Sequence, residues 1–133
     1  MKRLIIVFFA LLAFGACQST ESRVEAVAET FLHAYYTGDN AAAAAVCTPA
    51  YARQVQYTGI NGTVAEAMPE KLQDKMKEAL SRTSYKIVSV EVDEDAASAL
   101  VHYTLSVPDV EKPVPMTLKL QLEGRTALVD GIQ

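Results

Sequence analysis

Apolar residues recur every three or four positions before Tyr85 and every second position after it, and that change of period restricts the chain to helices followed by strands. The first helical stretch carries its own start and stop. Ser22 and Glu25 match a capping box, in which the hydroxyl takes an orphan backbone N–H and the carboxylate reaches back to the cap. Val24, Val27, Ala28, Phe31, Leu32 and Tyr35 share one face, and Arg23, Ala26, Thr30, His33 and Thr37 fall on the other. Gly38 can turn left-handed beyond the last turn, and Asp39 can cap whatever follows.

The next segments are shorter. Asp39 or Asn40 caps Ala41 to Cys47, whose small side chains allow close helix approach. Thr48 as cap and Pro49 at the first helical position predict a helix to about Gln56, with Tyr51, Val55 and Tyr57 as inner contacts. Gly59, Asn61 and Gly62 mark a loop. Thr63 and Glu66 repeat the capping-box spacing, but Pro69 interrupts that segment, so the regular helix starts near Pro69 and ends near Arg82. Leu72, Met76, Ala79 and Leu80 form its apolar stripe.

From Tyr85 the alternation predicts strands. Tyr85 to Val92 places Val88, Val90 and Val92 on one side, and Asp93-Glu94-Asp95 makes a charged turn. Ala99, Val101, Tyr103, Leu105 and Val107 alternate with Leu100, His102, Thr104 and Ser106. Pro108, Pro113 and Pro115 hold Asp109 to Val114 out of regular pairing as an exposed loop. Met116, Leu118, Leu120 and Leu122 define a third strand, Gly124-Arg125 turns it, and Thr126 to Asp130 is a fourth. Sequential strands with short turns form an antiparallel meander with one dry face for the helices to cover. The expected fold is α+β, with N-terminal helices packed on a curved antiparallel sheet of three or four strands.

The chain opens with Lys2 and Arg3 ahead of an uncharged run from Leu4 to Phe14, then Gly15 and Ala16, which is the layout of an export signal. That run is well short of the roughly 20 residues that a membrane-crossing helix needs. Phe14-Gly15-Ala16-Cys17 resembles the processing site of bacterial lipoproteins. That resemblance implies a signal peptide over residues 1–16 and an acylated Cys17 with a tether over 17–21, and the length that remains is that of a single domain over 22–133. It also implies a lipid-anchored envelope protein held to the membrane through Cys17. Gln18 and Ser19 lack the aspartate that retains some lipoproteins in the inner membrane, so the outer membrane is favoured. Removing the signal takes away Lys2 and Arg3 and moves the net charge from −4 to −6. An acidic surface without a basic cluster argues against nucleic acid as a partner. Once Cys17 is acylated, Cys47 has no thiol to pair with.

The order of elements resembles the cone-shaped α+β fold named for nuclear transport factor 2, also called cystatin-like. It is most similar to small lipoproteins grouped as a lumazine-binding-like domain. Val27, Phe31, Tyr35, Tyr36, Gly38 and Asp39 stand where that group's first helix runs into a small-residue helix, and Asp130-Gly131 matches its closing pair. The resemblance implies a sheet curled around the first helix and a cavity at the open end. Phe31, Tyr35, Tyr36, Tyr51, Tyr57 and Tyr103 are the candidates to line it, with a small apolar ligand as occupant. The alternative is a protein-interaction module, homodimeric or bound to an envelope partner, using the sheet face or the Pro108 to Pro115 loop.

Catalysis is not expected. Isomerases of the superfamily carry a tyrosine seven residues before the glycine of the Gly-Asp pair, where this chain has Phe31, and Pro49 to Gln56 contains no carboxylate to move a proton. His33 and His102 are expected on wet surfaces, Cys47 as a small buried hydrophobe, and Asp93 to Asp95 as a solvated turn without calcium-loop spacing. No spacing indicates a metal or a cofactor.

Overall fold

The computed structural model describes residues 19–58, 67–124 and 126–133. Cys17, the Gly59 to Gly62 loop, the Thr63/Glu66 capping pair and Arg125 lie outside the described residues.

Helix α1, Thr20–Thr37, begins earlier than its spacing predicts: Ser19 is the N-cap, and its Oγ accepts the Ser22 N–H at 3.2 Å. Ser22 is therefore the third residue of the helix and not its cap. Thr20 and Glu21, read as tether, are helical, and Glu21 and Ser22 are buried. The stop is as expected. Gly38 turns at φ 85°, and the Asp39 N–H returns to the Ala34 carbonyl at 2.8 Å.

Asp39 caps α2, Asn40–Ala44, by accepting the Ala42 N–H at 3.1 Å. This helix ends short of Cys47 because the chain extends there to pair with the sheet. The Val129 N–H donates to Val46 O at 2.8 Å, and the Thr48 N–H donates to Val129 O at 2.9 Å, around a parallel bridge from Cys47 to Val129. Backbone groups used for that bridge cannot also continue a helix. Thr48 and Pro49 then start α3, Pro49–Thr58.

Helix α4, Glu70–Ser81, has Pro69 as its N-cap and buries none of its residues. The stripe of Leu72, Met76, Ala79 and Leu80 is thus not core, and Leu72 is 45% exposed.

Strands β1 (Ser84–Asp93), β2 (Ser98–Ser106), β3 (Val114–Glu123) and β4 (Thr126–Ile132) form one antiparallel sheet in sequence order. The fold is α+β, helices first and a four-stranded meander second. One expectation inside β1 fails. Ile87 pairs with Tyr103 and Ser89 with His102, so Val88 is an extra residue, 63% exposed. The bulge shifts the parity, so that Tyr85 and Ile87 on one side of it and Val90 and Val92 on the other all pack with the core. A second irregularity leaves Asp130 outside the β3–β4 ladder. Bulges bend the strands that carry them, and α1 touches β1, β2 and β4 along its buried side.

Val24, Ala28, Phe31 and Leu32 of α1 meet Val90, Val101, Leu118, Leu120 and Val129 of the sheet, all of them buried. Leu118 and Leu120 are wholly inaccessible, which for a leucine contributes roughly 1.5–3 kcal/mol each relative to exposure. This single core fixes the relative positions of α1, α3 and the sheet, and so the side chains between them.

Candidate functional site

At the Gly38 end of α1 the core becomes aromatic. Phe31 and Tyr35, one turn apart, stack with centroids 5.3 Å apart, and Tyr36 meets Tyr35 edge-on at 5.1 Å. Tyr51 reaches Phe31 from the first turn of α3 at 6.2 Å, held there by the Cys47–Val129 bridge just upstream. Tyr103, pointing inward from β2, lies 6.4 Å from Tyr36. Five of the six residues expected to line a pocket are therefore gathered. Tyr57 does not join them; it is 59% exposed.

Tyr85, not singled out from the sequence, completes the group. Its ring lies 6.3 Å from Tyr36, and its hydroxyl donates to the Glu29 carboxylate on α1. Simple alternation gave no reason to choose it, because the Val88 bulge is what brings Tyr85 to the same side as Val90. Its position as the first aromatic after the change of period is the one sequence signal that could have found it.

The cluster is graded in depth. Phe31 and Tyr103 are 0% and 1% exposed, while Tyr35, Tyr36, Tyr51 and Tyr85 are half-buried. The Tyr36 and Tyr103 hydroxyls lie 3.0 Å apart. Tyr103, sealed from water, has no other acceptor among the described residues, so it donates to Tyr36. The Tyr36 proton is then left to point away from the pair. Burial pushes the Tyr103 hydroxyl far above its ordinary range, with the Tyr36 contact adding to the effect. Burial also raises Tyr35, Tyr36 and Tyr51, and it moves Tyr85 to about 12 with help from the neighbouring Glu29. These phenols are uncharged hydrogen-bond donors at physiological pH.

The other candidates lie elsewhere. Cys47 is buried and donates its thiol to Ala43 O at 3.1 Å, and burial raises it to about 12. His102 is not simply solvated: on the outer sheet face it bridges Glu91 of β1 and Thr117 of β3, the latter at 3.2 Å. His33 is exposed and helps line a groove of ≈ 450 Å³ with Glu29, Thr30, Thr37 and Asp39. Asp93 caps its own hairpin by accepting the Ala96 N–H at 3.1 Å. Among the described residues, no three His, Cys, Asp or Glu side chains converge as a metal would require, and no helix is long and apolar enough to cross a membrane.

Similar solved structures exist. A protein of unknown function with a cystatin-like fold from Methylobium petroleophilum PM1 is 15% identical, with 83% of this chain and 74% of that one covered and a TM-score of 0.48. An NTF2-like protein of unknown function from Cytophaga hutchinsonii ATCC 33406 is 13% identical over 86% of this chain and 88% of the other, with a TM-score of 0.41. A TraE protein in complex with 2-(2-furyl)isonicotinic acid is 16% identical over 80% and 93%, with a TM-score of 0.44. Likenesses this distant carry no argument about chemistry. No protein-family model matches the chain, and no curated protein matches it.

Proposed function

We propose that this chain is a lipid-anchored protein of the bacterial envelope, of the lumazine-binding-like group, that holds a small and largely apolar ligand against its tyrosine cluster without transforming it. The observation that carries the reading is the Tyr36–Tyr103 hydroxyl pair, 3.0 Å apart, which leaves one phenol proton directed away from its partner at the half-buried edge of an aromatic surface. Apolar walls with a few placed polar groups are the usual make-up of a small-molecule site.

A binding role suits these residues better than catalysis. Phe31 is stacked and inaccessible, and α3 offers no carboxylate, so the two positions where the superfamily's isomerases are expected to carry a phenol and a proton-moving carboxylate hold neither. The anchor reading rests on Cys17 and the residues before it.

Native mass spectrometry of protein released gently from membranes should show added mass of one small molecule, lost in Tyr36→Ala. A spectrum containing the bare chain alone would count against the ligand. Fractionation beside Cys17→Ala tests the anchor separately, since that variant should leave the membrane fraction. The second reading, a protein-interaction module, is favoured by the uncovered Leu72 on α4 and by Val110, 47% exposed, in the proline-rich loop. Crosslinking in cells that traps one specific partner or a homodimer would select it.

A further inference from the structure

Resting on the anchor reading above and not on the ligand reading, we propose that α4 is a membrane-surface helix, whose apolar stripe lies in the interfacial layer of the bilayer that holds Cys17.

Helix α4 sorts its side chains in a way that water alone does not require. It buries none of its residues: Leu72 and Ala79 are exposed, and Met76 and Leu80 are half-buried. At about 100° of turn per residue, Lys71 and Lys75 border one edge of that stripe and Lys77 the other, while Glu70, Asp74 and Glu78 fall on the opposite side. Among the described residues none of the three lysines pairs with a carboxylate. A helix that faced only water would have no cause to segregate its charges by sign. An apolar stripe edged by lysines, with the acids pointing away, suits a helix lying on lipid. The stripe enters the acyl boundary, and the lysine stems run along it to set their ammonium groups among the phosphates. A second copy laid on this face would bring lysine edge against lysine edge, whereas the phosphate layer meets them with opposite charge.

The chain ahead of α1 keeps the bilayer within reach. Ser19 is the N-cap and α1 starts at Thr20, so Gln18 alone separates Cys17 from that cap. Two residue steps span at most about 7 Å, and the first turn of α1 therefore stays at the headgroups. Helix α4 meets the other end of α1, across a hollow of ≈ 350 Å³ lined by Thr37, Lys77, Leu80 and Ser81. With the anchor at one end of α1 and α4 beside the other, both touch one surface when α1 lies along it instead of standing on end. No described helix is long and apolar enough to cross a membrane, and four apolar residues on a 12-residue helix would hold a free protein to lipid only weakly. Acylation removes that limit, because docking then occurs within a molecule already held at the surface.

The test puts the environment-sensitive dye NBD on the full acylated chain, at Ala79→Cys in the stripe or at Asp74→Cys on the acidic side. Cys47 is buried and Cys17 acylated, so neither competes for the dye. The vesicles are phosphatidylethanolamine and phosphatidylglycerol, with part of the acyl chains brominated. Dye at Ala79→Cys should shift to the blue and lose most of its emission to the bromine, and dye at Asp74→Cys should do neither. Adding Leu72→Glu and Lys75→Glu should return the stripe dye to its emission in water while the chain still floats with the vesicles. A chain that floats with the vesicles while its stripe dye stays wet and unquenched overturns the docking and leaves the anchor reading standing. A stripe dye that is blue-shifted but unquenched overturns it in favour of a protein cover, whether a second copy or a partner. A chain that does not float with the vesicles overturns the anchor reading, and this inference with it.

Discussion

The hydroxyl of Thr48 donates to the Asp130 carboxylate at 2.9 Å, joining residues 82 positions apart. Beside it, backbone bonds join Val46 and Thr48 to Val129, so the helical half is fastened to β4 at one place. Thr48 also accepts the Tyr51 N–H at 3.4 Å, which ties the start of α3, and hence the Tyr51 ring, to the same fastening. Thr48→Val should lower stability in urea unfolding by about 1–3 kcal/mol, the sum of a lost cap and a lost charge-assisted bond. Asp130→Asn keeps an acceptor and should cost less.

Ala97 closes the β1–β2 hairpin at φ 52°, where its carbonyl accepts the Leu122 N–H at 2.8 Å. A left-handed alanine costs roughly 1–2 kcal/mol, of which glycine would return about half after its greater unfolded-state freedom is counted. Ala97→Gly should therefore raise the unfolding midpoint by a few degrees in a thermal melt, about what 0.5–1 kcal/mol produces in a domain this small.

Five tyrosines, 35, 36, 51, 85 and 103, have hydroxyls raised above the ordinary 10.0 by burial. A group whose folded value is raised contributes stability that is fully present below the unfolded value and is lost as pH rises through the folded one. The melting temperature should thus be insensitive to these groups up to about pH 10 and fall above it. Ultraviolet titration of the folded chain should show most of the phenolate appearing only at or beyond that fall. Ionisation of all the tyrosines near pH 10 in a still-folded chain would contradict the burial described above.

Leu118 is wholly buried and Leu72 is 45% exposed. Leu118→Ala should cost about 2–5 kcal/mol through lost burial and a residual cavity. Leu72→Ala should change stability by less than about 0.5 kcal/mol. Comparable losses in the two variants would mean that α4 is covered in solution.

Elements whose signals are local were legible from the residues. Gly38 ends a helix because it alone of its neighbours tolerates φ 85° cheaply. Pro49 and Pro69 open helices because neither has an N–H to lose. The alternation after Val92 predicted which residues of β2 and β3 face inward, and Val101, Tyr103, Leu118 and Leu120 do. The start of α1 was misread because Ser19 and Ser22 both offer a capping hydroxyl, and cap chemistry does not rank them. The site was legible in part. Helical spacing placed Phe31 and Tyr35 on one face and the family resemblance added Tyr36, but whether Tyr51 or Tyr57 would reach them depended on where α3 is fastened.

By itself the sequence determined the order of helices and strands, their main stops, and which face of β2 and of β3 is dry. These follow from contacts within a turn of helix or between alternate residues of a strand. Tertiary structure alone decided that Val88 would be skipped, that Tyr85 would turn inward and that Cys47 would leave its helix for β4. The reason is physical: a bulge or a bridge is chosen by the backbone groups of a partner strand distant in the chain, and no short window of residues contains both sides of that bond.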